Sequence, residues 1–112
     1  MMVDVKRVYD EISEQDGYRI LVDRLWPRGM KKADLQYDEW LKAIAPSAEL
    51  RQALHSETID FAHFEKQYRA ELQQNAALAE LKQRMEKQKV TLLTATKLDQ
   101  QSHITVLQKL LG

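Results

Sequence analysis

The sequence predicts an α/β fold: a small, three-layer-like domain whose short, mostly parallel sheet of about three strands is covered by four to five helices. Three observations carry this expectation. Two strand-like segments open the chain, amphipathic segments of helical spacing follow, and the buried-strand run Val90-Thr91-Leu92-Leu93-Thr94-Ala95-Thr96 comes after them. A strand joined to a buried strand through helices implies a parallel pair with a crossover connection.

The first strand is expected over Val3 to Tyr9, with imperfect alternation through Val5, Lys6, Arg7 and Val8. Asp16-Gly17 marks a turn, and Tyr18 to Asp23 makes an apolar run of strand length. Trp26-Pro27 ends it, because proline offers no N–H to a ladder and forces the preceding residue to be extended. The connection between these strands is short for a helical crossover, so the direction of the first strand stays open.

A helix is then expected from Asp34 as N-cap, with Leu35, Trp40, Leu41 and Ile44 on one face. Pro46 stops it, and a short helix follows through Leu50 and Leu54. Asp60 is the expected cap of an amphipathic helix whose Phe61, Phe64, Tyr68 and Leu72 fall at steps of three or four. Asn75 can cap another, with Leu78, Leu81 and Met85 inward, although no Gly or Pro forbids one bent helix over both segments. Ser102 to Leu111 forms the final helix, through Ile104, Leu107, Leu110 and Leu111.

Composition sets bounds. A chain of 112 residues fits one domain, 1–112, and folding at this size hides roughly 60–70% of the unfolded surface. Lys and Arg balance Asp and Glu at 17 each, whereas binding by phosphate contact normally needs a basic surplus, so nucleic acid is disfavoured as a partner. Cysteine is absent, which excludes disulfides, thiolate zinc sites and cysteine nucleophiles. The sequence has no apolar run near ~20 residues and no leader-like segment, so no membrane association and a cytoplasmic location are expected.

The segment Asp23-Arg24-Leu25-Trp26-Pro27-Arg28-Gly29 is too polar for a core strand and too rich in costly residues for an ordinary loop. Ligands of parallel sheets bind outside the carboxyl ends of the strands. The second strand ends in Asp23, Arg24 and Arg28; the third in Thr94, Thr96, Lys97 and Asp99, with His103 opening the last helix. If those strands are parallel neighbours, both sets meet at one edge. Arg24, Arg28 and Lys97 would then bind a small anion, with Trp26 beside it, because guanidinium forks match phosphate and carboxylate oxygens. Asp23 and His103 are the candidate catalytic pair, a carboxylate with a group that moves protons near neutrality.

Each residue also has a structural reading. Asp23 and Arg24 can be an ion pair that ends a strand, Trp26 a core or rim residue, Pro27 and Gly29 shapers of a turn, and His103 a cap. His55 and His63 share no metal-ligand spacing, so no metal is expected. GxGxxG, Walker and GxSxG patterns are missing, so no cofactor is expected.

Val5-Lys6-Arg7-Val8-Tyr9-Asp10, Asp16-Gly17-Tyr18-Arg19 and Leu21 through Gly29 resemble the YeaO-like family of small bacterial proteins, a family of unassigned function. Asp38-Glu39-Trp40, Pro46-Ser47, Glu49-Leu50-Arg51, Ala70-Glu71-Leu72, Thr91-Leu92-Leu93, Lys97 and His103 fit the same pattern, so the resemblance spans nearly the whole chain. It implies a bacterial cytoplasmic protein with an α/β fold, and no particular activity. The sequence departs from the family's pattern at Thr94, Leu98 and Ser102, where an aromatic, a polar residue and asparagine are usual. Two classes of function follow: an anion-binding site, with or without small-molecule catalysis, or a non-catalytic module that binds a protein partner.

Overall fold

A four-stranded sheet organises the computed structural model, which describes residues 3–111. Its strands are β1 (Asp4–Arg7), β2 (Tyr18–Leu21), β3 (Glu39–Trp40) and β4 (Val90–Thr94), in the order β1-β4-β2-β3. Every neighbouring pair is parallel. The central β4 is buried at all five positions, as its near-continuous apolar run requires. The sheet thus has four strands where three were expected, and β1 is parallel.

Four α-helices cover one face: α1 (Ala48–His55), α2 (Phe61–Gln73), α3 (Ala76–Lys87) and α4 (His103–Leu111). Side chains accept N–H bonds at the start of each. Ser47 takes Leu50 N, Asp60 takes His63 N, Asn75 takes Ala77 N, and Ser102 takes Ile104 N. The Asn75 cap divides α2 from α3, so the two segments are separate helices rather than one bent one. Phe64, Tyr68, Leu81 and Leu107 of these helices pack with Ile20 and Leu92 of the sheet and with Val22, just past β2.

Among the described residues the opposite face carries no helix. Leu21, Leu93 and Val8 point there and are covered by Leu35, Trp26 and Met30 from the long β2–β3 connection and by Trp40 of β3.

The helix expected from Asp34 does not form. Leu35 is irregular, Glu39–Trp40 is β3, and Lys42–Ile44 is a single 3₁₀ turn. Backbone pairing with β2 won over helical spacing: Asp38 N donates to Arg19 O at 2.8 Å and Leu41 N to Leu21 O at 2.8 Å. Consequently Trp40 and Leu41 alternate across the sheet, Trp40 toward the helix-free face and Leu41 toward the helices.

The β1–β2 connection, residues 8–17, returns the chain to a parallel strand without a helix; its one regular piece is the 3₁₀ turn Glu14–Asp16. A buried polar network takes the helix's place. Asp16 accepts from Lys6 Nζ at 2.9 Å and Ser13 N at 3.0 Å, and pairs with Arg19. Thr91 of β4 donates to the Asp16 carbonyl at 2.7 Å. Burial pushes the Asp16 carboxyl up, but Lys6, the Ser13 N–H and Arg19 more than offset this and hold it below its ordinary value. Among the described residues no helix is long and apolar enough to cross a membrane.

Candidate functional site

The parallel pairing of β2 with β4 sets their carboxyl ends side by side, and there the chain folds around Asp23. Thr94 Oγ1 donates to Asp23 Oδ1 at 2.7 Å, and Ala95 N donates to Oδ2 at 2.8 Å. His103, the first residue of α4, puts Nε2 at 3.1 Å from Oδ1. The Asp23 backbone is fixed as well, its carbonyl accepting from Trp40 Nε1 at 2.7 Å.

The Asp23 and His103 side chains are 13% and 12% exposed, so solvent screens their interaction little. Burial alone pushes the Asp23 carboxyl up. The His103 hydrogen bond, the Ala95 N–H and the Thr94 hydroxyl outweigh it and hold the group below its ordinary value. An ionised carboxylate only accepts, so the His103 Nε2 facing it carries the hydrogen. That leaves Nδ1 as the ring atom not committed to Asp23.

The other expected site residues divide. Arg24 donates through Nε to the Pro46 carbonyl at 2.9 Å, which braces the segment after β2 against the start of α1. Trp26 is packed rather than displayed. Its ring meets Trp40 edge-on at 5.3 Å and Tyr37 at 5.7 Å between centroids, and its indole N–H is taken by the Met30 carbonyl. Arg28 and Lys97 are exposed, and among the described residues neither forms an ion pair.

Two residues outside the expected set join this edge. Arg7, at the end of β1, donates through Nη2 to the Ala95 carbonyl at 2.8 Å. The Tyr9 ring lies 4.9 Å from the Arg7 guanidinium carbon, and its hydroxyl donates to the Arg28 carbonyl at 2.9 Å. Ala95 therefore joins Arg7, through its carbonyl, to Asp23, through its N–H. No local signal marked them, because both read as ordinary residues of the first strand and Arg7 meets Ala95 across 88 positions.

A cleft of about 240 Å³ lies elsewhere, between β1 and α4, lined by Val3, Val5, Leu98, Gln100 and Ser102 among others. Neither Asp23 nor His103, Arg24, Trp26, Arg28 or Lys97 lines it. The hydrogen-bond geometry around Asp23 is a better guide to chemistry than cleft size, since it gathers buried, charged and fully partnered groups. Among the described residues no group of three His, Cys, Asp or Glu side chains could hold a metal ion.

Comparison with known proteins places relatives of similar length beside this chain. A family model described as "Inactive DUF488-N3 subclade" matches residues 2–112. The chain is 53% identical over 111 residues to "Uncharacterized protein YeaO" of Escherichia coli K12, covering 96% of this chain and 94% of the relative. It is 45% identical over 110 residues to "Uncharacterized protein Rv3073c" of Mycobacterium tuberculosis H37Rv, covering 98% and 93%. "Uncharacterized protein Mb3100c" of Mycobacterium bovis matches at the same identity and coverage. No solved structure matches the chain.

Proposed function

The chain belongs to the YeaO-like family, in the inactive DUF488-N3 subclade, and from that premise we propose that it binds a small phosphorylated or carboxylated molecule without turning it over. The family description's word "inactive" supports the absence of turnover. The observation that carries the reading is the engagement of both Asp23 oxygens. Its two oxygens are committed to Thr94, Ala95 and His103, which suits a fixed anchor better than a base that must take a proton from substrate.

The loops that leave the sheet after β2 and β4 carry exposed cations. Arg28 and Lys97 stand on the loops that follow β2 and β4, and each offers donors to an oxyanion. Asp23 holds His103, which turns Nδ1 to the same ligand. Arg24 and Trp26 shape the loop that carries Arg28. We also place the protein in the cytoplasm, a reading that a cysteine-free chain suits and cell fractionation would test.

Thermal denaturation with phosphate, nucleotides and sugar phosphates tests the site. A ligand at 100 times its Kd stabilises by about 2.7 kcal/mol. Arg28→Ala abolishes the shift on this reading; an unchanged shift removes Arg28 from the site.

A second reading, a protein-interaction module, is favoured by Leu25, which is 58% exposed in the middle of the loop between Arg24 and Trp26. Its mark is a partner lost in Leu25→Glu but indifferent to small anions. Direct nucleic-acid binding would instead weaken steeply with salt, and the balanced charge argues against it.

A further inference from the structure

Among the described residues, one buried side-chain nitrogen has no hydrogen-bond partner: Arg7 Nε. A buried donor on a charged group is expensive to leave unpaired, and native proteins seldom do so without a functional reason. Its position is informative. Arg7 ends β1 next to β4, and its Nη2 is fixed on the carbonyl of Ala95, the residue whose N–H holds Asp23. The orphan donor therefore lies at the carboxyl edge of the sheet, one residue removed from the Asp23–His103 pair.

The Tyr9 ring stacks over the guanidinium at 4.9 Å, and its hydroxyl is fastened to the carbonyl of Arg28. Tyr9 is 48% exposed, so one face of the ring meets solvent while the other meets Arg7. A ring held by one hydrogen bond and one cation–π contact can rotate away without disturbing the core.

We propose that Arg7 is the anchoring cation of the anion site and that Tyr9 is its cover, which yields when an oxyanion reaches the guanidinium. The ligand class is a planar or tetrahedral oxyanion, carboxylate or phosphate, received by the rigid fork of which Nη2 is already positioned. Displacing Tyr9 also releases its hydroxyl from the Arg28 carbonyl, so the loop that carries the second cation is freed in the same step. This rests on the proposed anion-binding function and adds to it the residue that recognises the oxyanion and the residue that gates it.

The experiment titrates inorganic phosphate and, separately, malonate into the ¹⁵N-labelled full chain while following the arginine Nε–H resonances, with calorimetry on Arg7→Lys, Tyr9→Ala and Arg28→Ala. The expected result is a shift of the Arg7 Nε–H signal, at least tenfold weaker binding in Arg7→Lys and at least threefold tighter binding in Tyr9→Ala. The preferred probe identifies the oxyanion. Binding that leaves the Arg7 signal and the Arg7→Lys affinity unchanged overturns the role of Arg7 while the anion site itself stands. No binding by the parent chain or by Tyr9→Ala overturns both. Binding seen in Tyr9→Ala and not in the parent supports the cover directly. The Nε–H signal is read in the unmodified protein, so an Arg7→Lys chain that fails to fold does not blunt the test.

Discussion

Asp23 Oδ1 and His103 Nε2 lie 3.1 Å apart although 80 positions separate the residues in sequence. One follows β2, the other opens α4, and the contact exists because β2 and β4 are parallel neighbours whose chains leave the sheet at the same edge. Removing the carboxylate leaves the Ala95 N–H and Thr94 hydroxyl without their acceptor and the imidazole without its partner. Asp23→Ala is therefore expected to cost about 2–3 kcal/mol, in the range for leaving hydrogen-bond donors without the carboxylate they serve. Urea denaturation measures it. A loss below about 1 kcal/mol would mean that water replaces the carboxylate.

The same carboxylate makes acid stability predictable in sign. Asp23 and Asp16 both have folded-state pKa values below the ordinary 3.8. A depressed folded value means the unfolded chain takes up protons first as pH falls. Their contribution is thus complete above the unfolded pKa and is lost as pH drops below about 4 through the lower folded values. Urea midpoints at pH 7, 4 and 3 should show a steep loss at the acid end. In Asp23→Asn that loss should be shallower, since one of the carboxylates with a lowered folded-state pKa is gone.

Much of this edge was legible in the sequence, for a physical reason. Asp23 and Thr94 end apolar runs that had to be strands, and the rule that parallel strands present their carboxyl ends together brings these two into contact. Arg7 was not legible, because its role depends on the Ala95 carbonyl, 88 positions away, and not on any local pattern. The segment 34–44 misled for a related reason. Leu35, Trp40, Leu41 and Ile44 have a spacing that fits a helix face, but Asp38 accepts from Arg19 N at 2.8 Å and fixes an extended backbone beside β2. Local spacing lost to a tertiary hydrogen bond. The β1–β2 crossover was illegible too: it depends on Lys6, Asp16 and Arg19, which look like surface charges until they are brought together.

Arg24 tests whether the loop after β2 is braced or free. Its Nε bond to the Pro46 carbonyl ties that loop to the start of α1. Arg24→Ala should lower stability by about 1–2 kcal/mol, the worth of one charge-assisted hydrogen bond. Phosphate affinity measured on the same variant separates bracing from contact. A large loss of affinity with little change in stability would put the guanidinium in the anion site.

Trp26 is predicted to act through packing. Its ring fills the helix-free side of the sheet, against Trp40 and over Leu21 and Leu93. Trp26→Ala should cost about 3 kcal/mol, and Trp26→Phe clearly less, since phenylalanine keeps the edge-on contact and loses the indole N–H bond to Met30. Chemical denaturation of both variants checks this. Equal losses would mean that the Met30 bond, rather than the ring, holds the loop.

Gly17 fixes where β2 begins, and its substitution tests how rigid the parallel pairing is. Its φ of 68° and ψ of −133° lie where L side chains rarely go. A Cβ added there would sit 2.5 Å from the Lys89 carbonyl oxygen. That oxygen cannot retreat, because it accepts the Tyr18 N–H at 2.9 Å and sets the register in which Tyr18 faces Val90. Gly17→Ala is therefore expected to cost about 3 kcal/mol from backbone strain and the clash together. Trimming the neighbour tests the cause. Lys89→Ala in the Gly17→Ala background removes the Lys89 Cγ contact at 2.9 Å but leaves the carbonyl and Cβ in place. Most of the loss should persist; full recovery in the double variant would show that the lysine stem, and not the strand backbone, is what Gly17 accommodates.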